Sequence, residues 1–250
     1  MRDLLRQCGF PYVDNTVLIF EGGSRLHGAK LEGTDDTDWY GVYIEPPEKV
    51  IGIDAYEHFV FTTGGKEGGN TASDVDITLY GLGKWARLAC KGNPSVLHFL
   101  FVTQPLFNHV LWARLSQHRS AFFSKSQVGQ FIGYANAQMQ RLLNKRSKDV
   151  NRPFLETQFG YDTKHAMHLI RLLQEAHEFL TTGNITLPRP NADELIAIRR
   201  GKYKLYELVE LANGLEVDAL AAKEKSALPE KVDRAAVSGL IAQTYLDFWK

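Results

Sequence analysis

The chain has 250 residues, of which 44% are hydrophobic and 23% are charged, the balance of an ordinary globular protein. Its 29 basic and 29 acidic residues give a formal net charge of zero, so any nucleic-acid or membrane-surface contact needs a local patch. No apolar run reaches the ~20 residues of a membrane helix, and the first helix-like segment is too short and too charged for a signal sequence. The two cysteines lack the spacing of metal ligands. These features predict a soluble, cytoplasmic protein without membrane contact.

The first part of the chain is predicted to alternate strands with short helices. Residues 1–9 form a helix that stops at Gly9. Apolar and β-branched patterns predict strands over residues 16–20, 36–44, 50–53, 57–61 and 74–79. Residues 62–73 contain almost nothing apolar and are predicted to form a mobile loop. Helical periodicity is then found over residues 82–91, 95–101 and 106–116.

Beyond residue 120 the sequence predicts helices alone. Their apolar positions recur with helical spacing over residues 127–145, 163–180, 192–200, 204–226 and 233–249. The change of pattern predicts an α+β protein with two domains: a mixed sheet with helices over residues 1–120, and an all-helical domain over residues 121–250.

One stretch near the N-terminus combines glycines with paired carboxylates. Gly22 and Gly23 follow the strand at 16–20, and Asp36 and Asp38 open the next strand. Side chains two residues apart on a strand share a face, and like charges held that close favour binding of a cation. A glycine-rich turn with free backbone N–H groups suits a phosphate. The stretch therefore predicts a metal-dependent site that acts on a nucleoside triphosphate.

The strand at 74–79 supplies a further carboxylate, from either Asp74 or Asp76, since both face the same way. If this strand neighbours the one at 36–44, three carboxylates meet. Such a set can hold two Mg²⁺ ions, or Mn²⁺ in their place. The alternative is that the Asp36–Asp38 pair is a solvated strand end and the glycines form a plain turn. The ~12-residue interval between turn and carboxylates, followed by the acidic strand, favours the metal site.

Candidate nucleotide contacts lie in two places. Ser24, Arg25 and His27 follow the glycines and could contact phosphates, although His27 could instead pack locally to set the turn. In the helix at 163–180, Lys164, His168 and Arg171 form one stripe at i, i+4 and i+7. These potential cations repel one another unless they meet an anion such as a triphosphate. The alternatives are a solvated face and, for His168, a buried hydrogen-bonded histidine.

One basic patch lies at residues 140–152. It could follow a nucleic-acid backbone, but it contains no interleaved aromatic residues for base stacking. A solvated helix end, favoured by the helix dipole, is the alternative.

Four motifs in order resemble a known family. Gly23-Ser24, Asp36-Thr37-Asp38 and Asp76 resemble the nucleotidyltransferase fold of the DNA polymerase beta superfamily. More closely, the chain resembles the predicted nucleotidyltransferases of the RNA repair pathway DNA polymerase beta family over residues 17–200. The shared segments are G-S-R-L-H-G at 23–28, D-T-D-W-Y-G-V-Y at 36–43, K-G-N-P at 91–94 and G-Y-D-T-K at 160–164, with its helix through Leu173.

The resemblance implies a role for each motif. Asp36, Asp38 and Asp76 would be the catalytic metal ligands, with Asp76 preferred to Asp74 and with Asp35 in the loop. Gly23 and Ser24 would hold the triphosphate in domain 1–120, while Lys164 and Arg171 close over it from domain 121–250.

The implied activity is Mg²⁺-dependent transfer of a nucleoside monophosphate from a nucleoside triphosphate to an acceptor, with pyrophosphate release and an RNA end as the favoured acceptor. Two alternatives stay open. The acceptor could be a protein or a small molecule, or the chain could be a non-catalytic nucleotide-sensing module. The sequence does not identify the nucleotide, the acceptor or the oligomeric state.

Overall fold

The computed structural model describes residues 1–31, 33, 36–63, 74–143 and 153–250. Three sequence expectations fall wholly or largely outside these ranges: the position of Asp35, the loop at 62–73 and most of the basic patch at 140–152. None of the described helices is long and apolar enough to cross a membrane.

Five strands form one mixed sheet in the order β3-β4-β2-β1-β5. β2 and β4 are parallel, and all other neighbouring strands are antiparallel. The strand bounds are β1 Thr16–Glu21, β2 Thr37–Tyr43, β3 His58–Thr62, β4 Val75–Gly81 and β5 Phe107–Asn108. Because β2 and β4 are parallel and paired in register, Asp38 lies opposite Asp76 where both strands begin.

The described part of the chain contains helices before, between and after these strands. Their bounds are α1 Arg2–Gln7, α2 Gly23–Leu26, α3 Pro47–Val50, α4 Leu82–Cys90, α5 Pro94–Leu97, α6 Val110–Gln117, α7 Val128–Leu143, α8 Pro153–Phe159, α9 Thr163–Thr182, α10 Ala192–Arg199, α11 Leu205–Lys225 and α12 Arg234–Phe248. With the mixed sheet first and helices after it, the predicted α+β class is confirmed.

Helix α9 lies at the centre of the helical part and packs against α7, α10 and α11. The Asp162 carboxylate caps its first turn by accepting hydrogen bonds from the backbone N–H groups of Lys164 (2.9 Å) and His165 (3.2 Å). Gly183 ends it with a left-handed backbone, at φ +66°. Twelve of its 20 residues are buried, and two of these, Arg171 and Glu175, are charged. A central helix with buried charges requires that those charges be paired.

One hydrophobic cluster joins the two predicted domains. It contains side chains from β1 and β2 together with side chains from α4, α7, α9, α11 and α12. A smaller cluster, which includes Leu5 and Phe10, covers the opposite face of the sheet beside α1. Hydrophobic packing is therefore continuous across residue 120. The division into two domains at that point remains a prediction.

Two local predictions are wrong, and one helix is missed. Residues 50–53 form no strand: Pro47 starts α3, and Ile51 and Ile53 are exposed instead of paired. The segment 106–116 is not wholly helical, because Phe107 and Asn108 form the edge strand β5 before α6 begins. Helix α8 was not predicted.

Candidate active site

Three carboxylates meet where β2 and β4 begin. One ligand oxygen from each of Asp36, Asp38 and Asp76 lies within 4.8 Å of the other two, and all three residues are partly exposed. Asp38 and Asp76 are register partners, and Asp36 lies two residues before Asp38, so strand geometry alone accounts for the convergence. Asp74, although also described, lies outside this group. It precedes β4, and its carboxylate accepts a hydrogen bond from the Thr63 hydroxyl at 3.1 Å.

The glycine turn packs directly against one of these carboxylates. Gly22 donates its N–H to the backbone carbonyl of Asp38 at 2.8 Å. Gly23 has φ +57°, and a Cβ added there would lie 2.0 Å from Oδ2 of Asp38. At Gly22 an added Cβ would lie 2.2 Å from the ring of Tyr40. Only glycine leaves room for this approach at either position.

Ser24 occupies the second position of α2 and is buried. The N-cap residue of this helix is Gly22.

A cavity of about 140 Å³ adjoins the same turn. Of the predicted nucleotide contacts, it brings together Gly23, His27, His168 and Arg171. Its other lining residues are Phe20, Gly22, Leu26, Tyr40, Ser95, His98 and Phe99. Burial and the nearby Asp38 carboxylate raise the pKa of the Tyr40 phenol. The turn thus lies beside both the carboxylate group and this cavity.

Three predicted contacts do not line this cavity in the described part of the chain. Arg25 is exposed, and its Nε lies 3.2 Å from a carboxylate oxygen of Glu21. Lys164 lies in the first turn of α9, where Asp162 caps its backbone N–H. Ser24 lies within α2. Their roles stay predictions, and any contact with a nucleotide would be made outside the cavity itself.

Behind the cavity lies a buried polar cluster around Glu175. Nη1 of Arg171 donates to both carboxylate oxygens at 2.9 Å. Nε2 of His98 is hydrogen-bonded to Oε2 at 3.1 Å, and Nδ1 of His27 lies 3.3 Å from Oε1. Nε of Arg171 has no hydrogen-bond partner among the described residues. The site therefore contains a buried guanidinium with an unused donor in a residue that lines the cavity.

The cluster fixes the charge of its members. Burial, reinforced by the Arg171 guanidinium, lowers the pKa of His27 to about 3, so its imidazole is neutral. Burial alone would raise the pKa of Glu175, but Arg171, with His98, holds that pKa well below its usual range. The core of the cluster is therefore one ion pair, with His27 as a neutral neighbour.

Sequence reasoning missed two of these residues. Neither His98 nor Glu175 is among the residues that the sequence motifs single out. One signal was available: Glu175 continues the stripe of Lys164, His168 and Arg171 by one more turn, at i+4 from Arg171. An acid at that spacing inside an apolar helix indicates a buried ion pair.

The two clusters differ as metal sites. The group of Asp36, Asp38 and Asp76 offers only oxygen ligands, so it fits Mg²⁺. Ligand atoms of His27, His98 and Glu175 also lie within 4.8 Å of one another. There, however, the Arg171 guanidinium already bridges both carboxylate oxygens, and its positive charge would repel a divalent cation.

A larger cavity of about 390 Å³ lies near the opposite ends of β2 and β4. It is lined by residues of α4 and α12 together with Glu45 and Glu57, and it contains none of the predicted site residues. Volume therefore does not identify the candidate site, whereas the chemistry of the residues points to the glycine turn.

Comparisons with known proteins agree with the motifs. The model of the RNA repair pathway DNA polymerase beta family matches residues 8–236. An uncharacterized 38.9 kDa protein in the nrdC-mobD intergenic region of Enterobacteria phage T4 is 25% identical over 137 residues. That match covers 53% of this chain and 40% of the phage protein, so the chain spans less than half of that relative.

Among solved structures, a nucleotidyltransferase-like protein from Exiguobacterium sibiricum 255-15 aligns with 13% identity and a TM-score of 0.30. The alignment covers 99% of this chain and 78% of that protein. The family model extends over most of the present sequence and includes every predicted site residue. The chain belongs to the RNA repair pathway DNA polymerase beta family.

Proposed function

We propose that this chain is a Mg²⁺-dependent nucleotidyltransferase that moves a nucleoside monophosphate from a nucleoside triphosphate to an acceptor, with an RNA end as the favoured acceptor. The observation that carries the proposal is the convergence of Asp36, Asp38 and Asp76 against the Gly22–Gly23 turn. Carboxylates bind the metal of such enzymes, and a glycine backbone admits phosphates at close range. The family name favours RNA as the acceptor.

In the proposed reaction, an acceptor oxygen forms a bond to the α-phosphorus, and the bond from that phosphorus to the pyrophosphate oxygen breaks. Mg²⁺ held by the three aspartates would stabilise the negative charge that develops on the phosphate oxygens. The Asp76 carboxylate would take the proton of the acceptor hydroxyl, and pyrophosphate would leave with the electron pair of the broken bond. The Gly22–Gly23 backbone would approach the β- and γ-phosphates.

Helix α9 would bind the nucleotide from the helical part of the chain. Arg171 and His168 line the cavity beside Gly23, and the unused Nε donor of Arg171 suits an anionic oxygen. In this proposal, residues 1–120 supply the metal site and residues 121–250 cover the triphosphate. Lys164 would contact phosphate at the outer end of the same stripe.

The proposal is tested first by Asp38→Asn. The substitution keeps the shape of the side chain and removes one anionic metal ligand. Turnover should fall at least about 100-fold, since a metal contributes several kcal/mol and each 1.4 kcal/mol is tenfold in rate. Pyrophosphate release measures the rate, and circular dichroism checks the fold.

The matched control is Asp74→Asn, because Asp74 lies two residues from Asp76 but outside the acidic group. It should retain activity within about threefold of wild type, as expected for a partly exposed group outside the metal site. A wild-type rate for Asp38→Asn would contradict the proposal.

The acceptor is identified by supplying each of the four nucleoside triphosphates, labelled in the α-phosphate, with RNA ends, DNA ends or no nucleic acid. Label on RNA is the expected result. Label on the chain itself or on a small molecule would mean that the same reaction uses that acceptor instead of RNA. Nucleotide binding without pyrophosphate release would favour a sensing module.

A further inference from the structure

Glu175 contacts the cavity wall without forming part of it. Its carboxylate touches Arg171, His98 and His27, and each of these three residues lines the cavity beside the glycine turn. Glu175 is fully buried and is not among the lining residues that the structure describes. Any effect of Glu175 on a ligand in the cavity must therefore be transmitted through these three neighbours.

The three neighbours come from separate segments of the chain. His27 directly follows α2, His98 directly follows α5, and Arg171 belongs to α9. One carboxylate thus connects the turn, the segment beyond α4 and the central helix. The turn side of this connection is reinforced by backbone contacts: Arg189 donates its N–H to the His27 carbonyl at 3.2 Å, and Arg199 donates from Nη1 to the Ala29 carbonyl at 2.8 Å.

The choice of a carboxylate at this position has a physical consequence. A buried ion pair usually stabilises a protein no more than apolar residues of the same volume do. Stability alone therefore does not explain why a carboxylate occupies this position. A carboxylate can, however, accept from several donors at once and so orient them relative to one another. Loss of its charge would leave the Arg171 guanidinium buried without its counter-ion.

We propose that Glu175 is a positioning residue that holds Arg171 at the cavity wall and anchors the segment after the glycine turn to α9. The part of this inference that concerns nucleotide affinity rests on the proposed function. The anchoring part does not, because it is a property of the protein without ligand.

The experiment compares Glu175→Gln with Glu45→Gln in the full chain. Glu45 is also a buried carboxylate, but its donors, Tyr245 and the Leu82 N–H, lie outside the cavity lining. Two quantities are measured: hydrogen exchange of the peptides that cover residues 22–28 without ligand, and kcat and KM for each Mg–nucleoside triphosphate. Thermal midpoints of both variants record any general loss of stability.

Glu175→Gln should speed exchange in residues 22–28 at least about tenfold, because segments that lose their anchoring contacts open more often. It should raise KM about 10- to 100-fold, the equivalent of one charged hydrogen bond, and leave kcat within about threefold. Glu45→Gln should change neither quantity. If the role of Glu175 were purely structural, Glu175→Gln would lower the thermal midpoint without raising KM selectively over kcat.

A second variant keeps the test decisive if Glu175→Gln folds poorly. Arg171→Met combined with Glu175→Leu replaces the buried ion pair by apolar side chains and should restore a thermal midpoint near that of wild type. Exchange of residues 22–28 should stay fast in this variant, since the carboxylate that contacts His27 and is hydrogen-bonded to His98 is gone.

If residues 22–28 exchange as slowly in both Glu175 variants as in wild type, the inference is overturned. An unchanged KM in folded Glu175→Gln would overturn its affinity part. One equivalent of metal in the purified wild type that Glu175→Gln loses would also overturn it, since the cluster would then be a metal site. If the wild type turns over none of the four nucleotides, the proposed function fails, and the exchange comparison still decides whether Glu175 anchors the turn.

Discussion

At the scale of the residue, Gly23 has little freedom to change. Its φ of +57° disfavours any residue with a Cβ, and that Cβ would lie 2.0 Å from Oδ2 of Asp38. Gly23→Ala should therefore cost about 1–2 kcal/mol in backbone strain and also displace the carboxylate. We expect kcat to fall at least about tenfold, because small misplacements of reacting groups have large effects on rate. Pyrophosphate release and urea unfolding measure the two effects.

Gly9→Ala separates backbone strain from displacement. Gly9 also has a positive φ, +81°, but nothing lies within 4 Å of an added Cβ. The Gly9→Ala variant should lose about as much free energy of unfolding as Gly23→Ala and keep its activity. If both variants lose activity to the same extent, close contact with Asp38 is not the reason that Gly23 is required.

At the scale of the element, Tyr245 attaches α12 to the end of the sheet. Its hydroxyl donates to Oε2 of Glu45 at 2.7 Å and accepts from the Gly83 N–H at 2.9 Å. Tyr245→Phe would leave a buried carboxylate and a backbone donor each short of one partner. The free energy of unfolding should fall by about 1–3 kcal/mol. Nucleotide KM should not change, since Glu45 and α12 lie away from the glycine turn.

Tyr206→Phe is the matched control, because Tyr206 is 62% exposed and its hydroxyl lies at the surface of α11. Its removal should change the free energy of unfolding by less than about 0.5 kcal/mol. Urea denaturation of both variants gives the comparison. Equal effects at the two positions would mean that the buried hydroxyl contributes nothing specific to holding α12.

The elements that could be predicted are those specified by their own residues. β2, β4 and α9 were predicted to within a few residues because alternation, helical periodicity and caps are local signals. β5 was missed because two residues contain no periodicity, and its pairing with β1 is decided by distant contacts. The carboxylate group was predicted for a related reason: residue spacing on strands sets side-chain direction, although the pairing of β2 with β4 had to be assumed.

The cluster of His27, His98, Arg171 and Glu175 could not be predicted in the same way. Only the pair on α9 is local in sequence, whereas His27 and His98 reach it through tertiary packing. The sequence indicated candidate residues, and the fold determined which of them face one another. Arg25, by contrast, forms a local ion pair with Glu21, four residues before it and outside the cavity.

At the scale of the whole molecule, this cluster makes stability depend on pH. The unfolded chain binds a proton on His27 below about pH 6.5, whereas burial and Arg171 prevent the folded chain from doing so until about pH 3. The unfolded state therefore holds more protons in this window, and the free energy of unfolding falls as pH falls. Glu175, with its lowered pKa, acts in the same direction below its usual value of 4.5.

Glu45 acts in the opposite sense, because burial raises the pKa of its carboxyl and the folded state then binds the extra proton. Comparing wild type with His27→Asn removes this contribution, since it is common to both proteins. The difference in unfolding free energy between wild type and His27→Asn should shrink by up to about 1.4 kcal/mol for each unit by which the pH falls from 6.5 to 4.5. His177→Asn, at an exposed position of α9, controls for removal of an imidazole. Urea denaturation at half-unit pH steps measures the slope, and parallel curves for wild type and His27→Asn would show that His27 is protonated in the folded state.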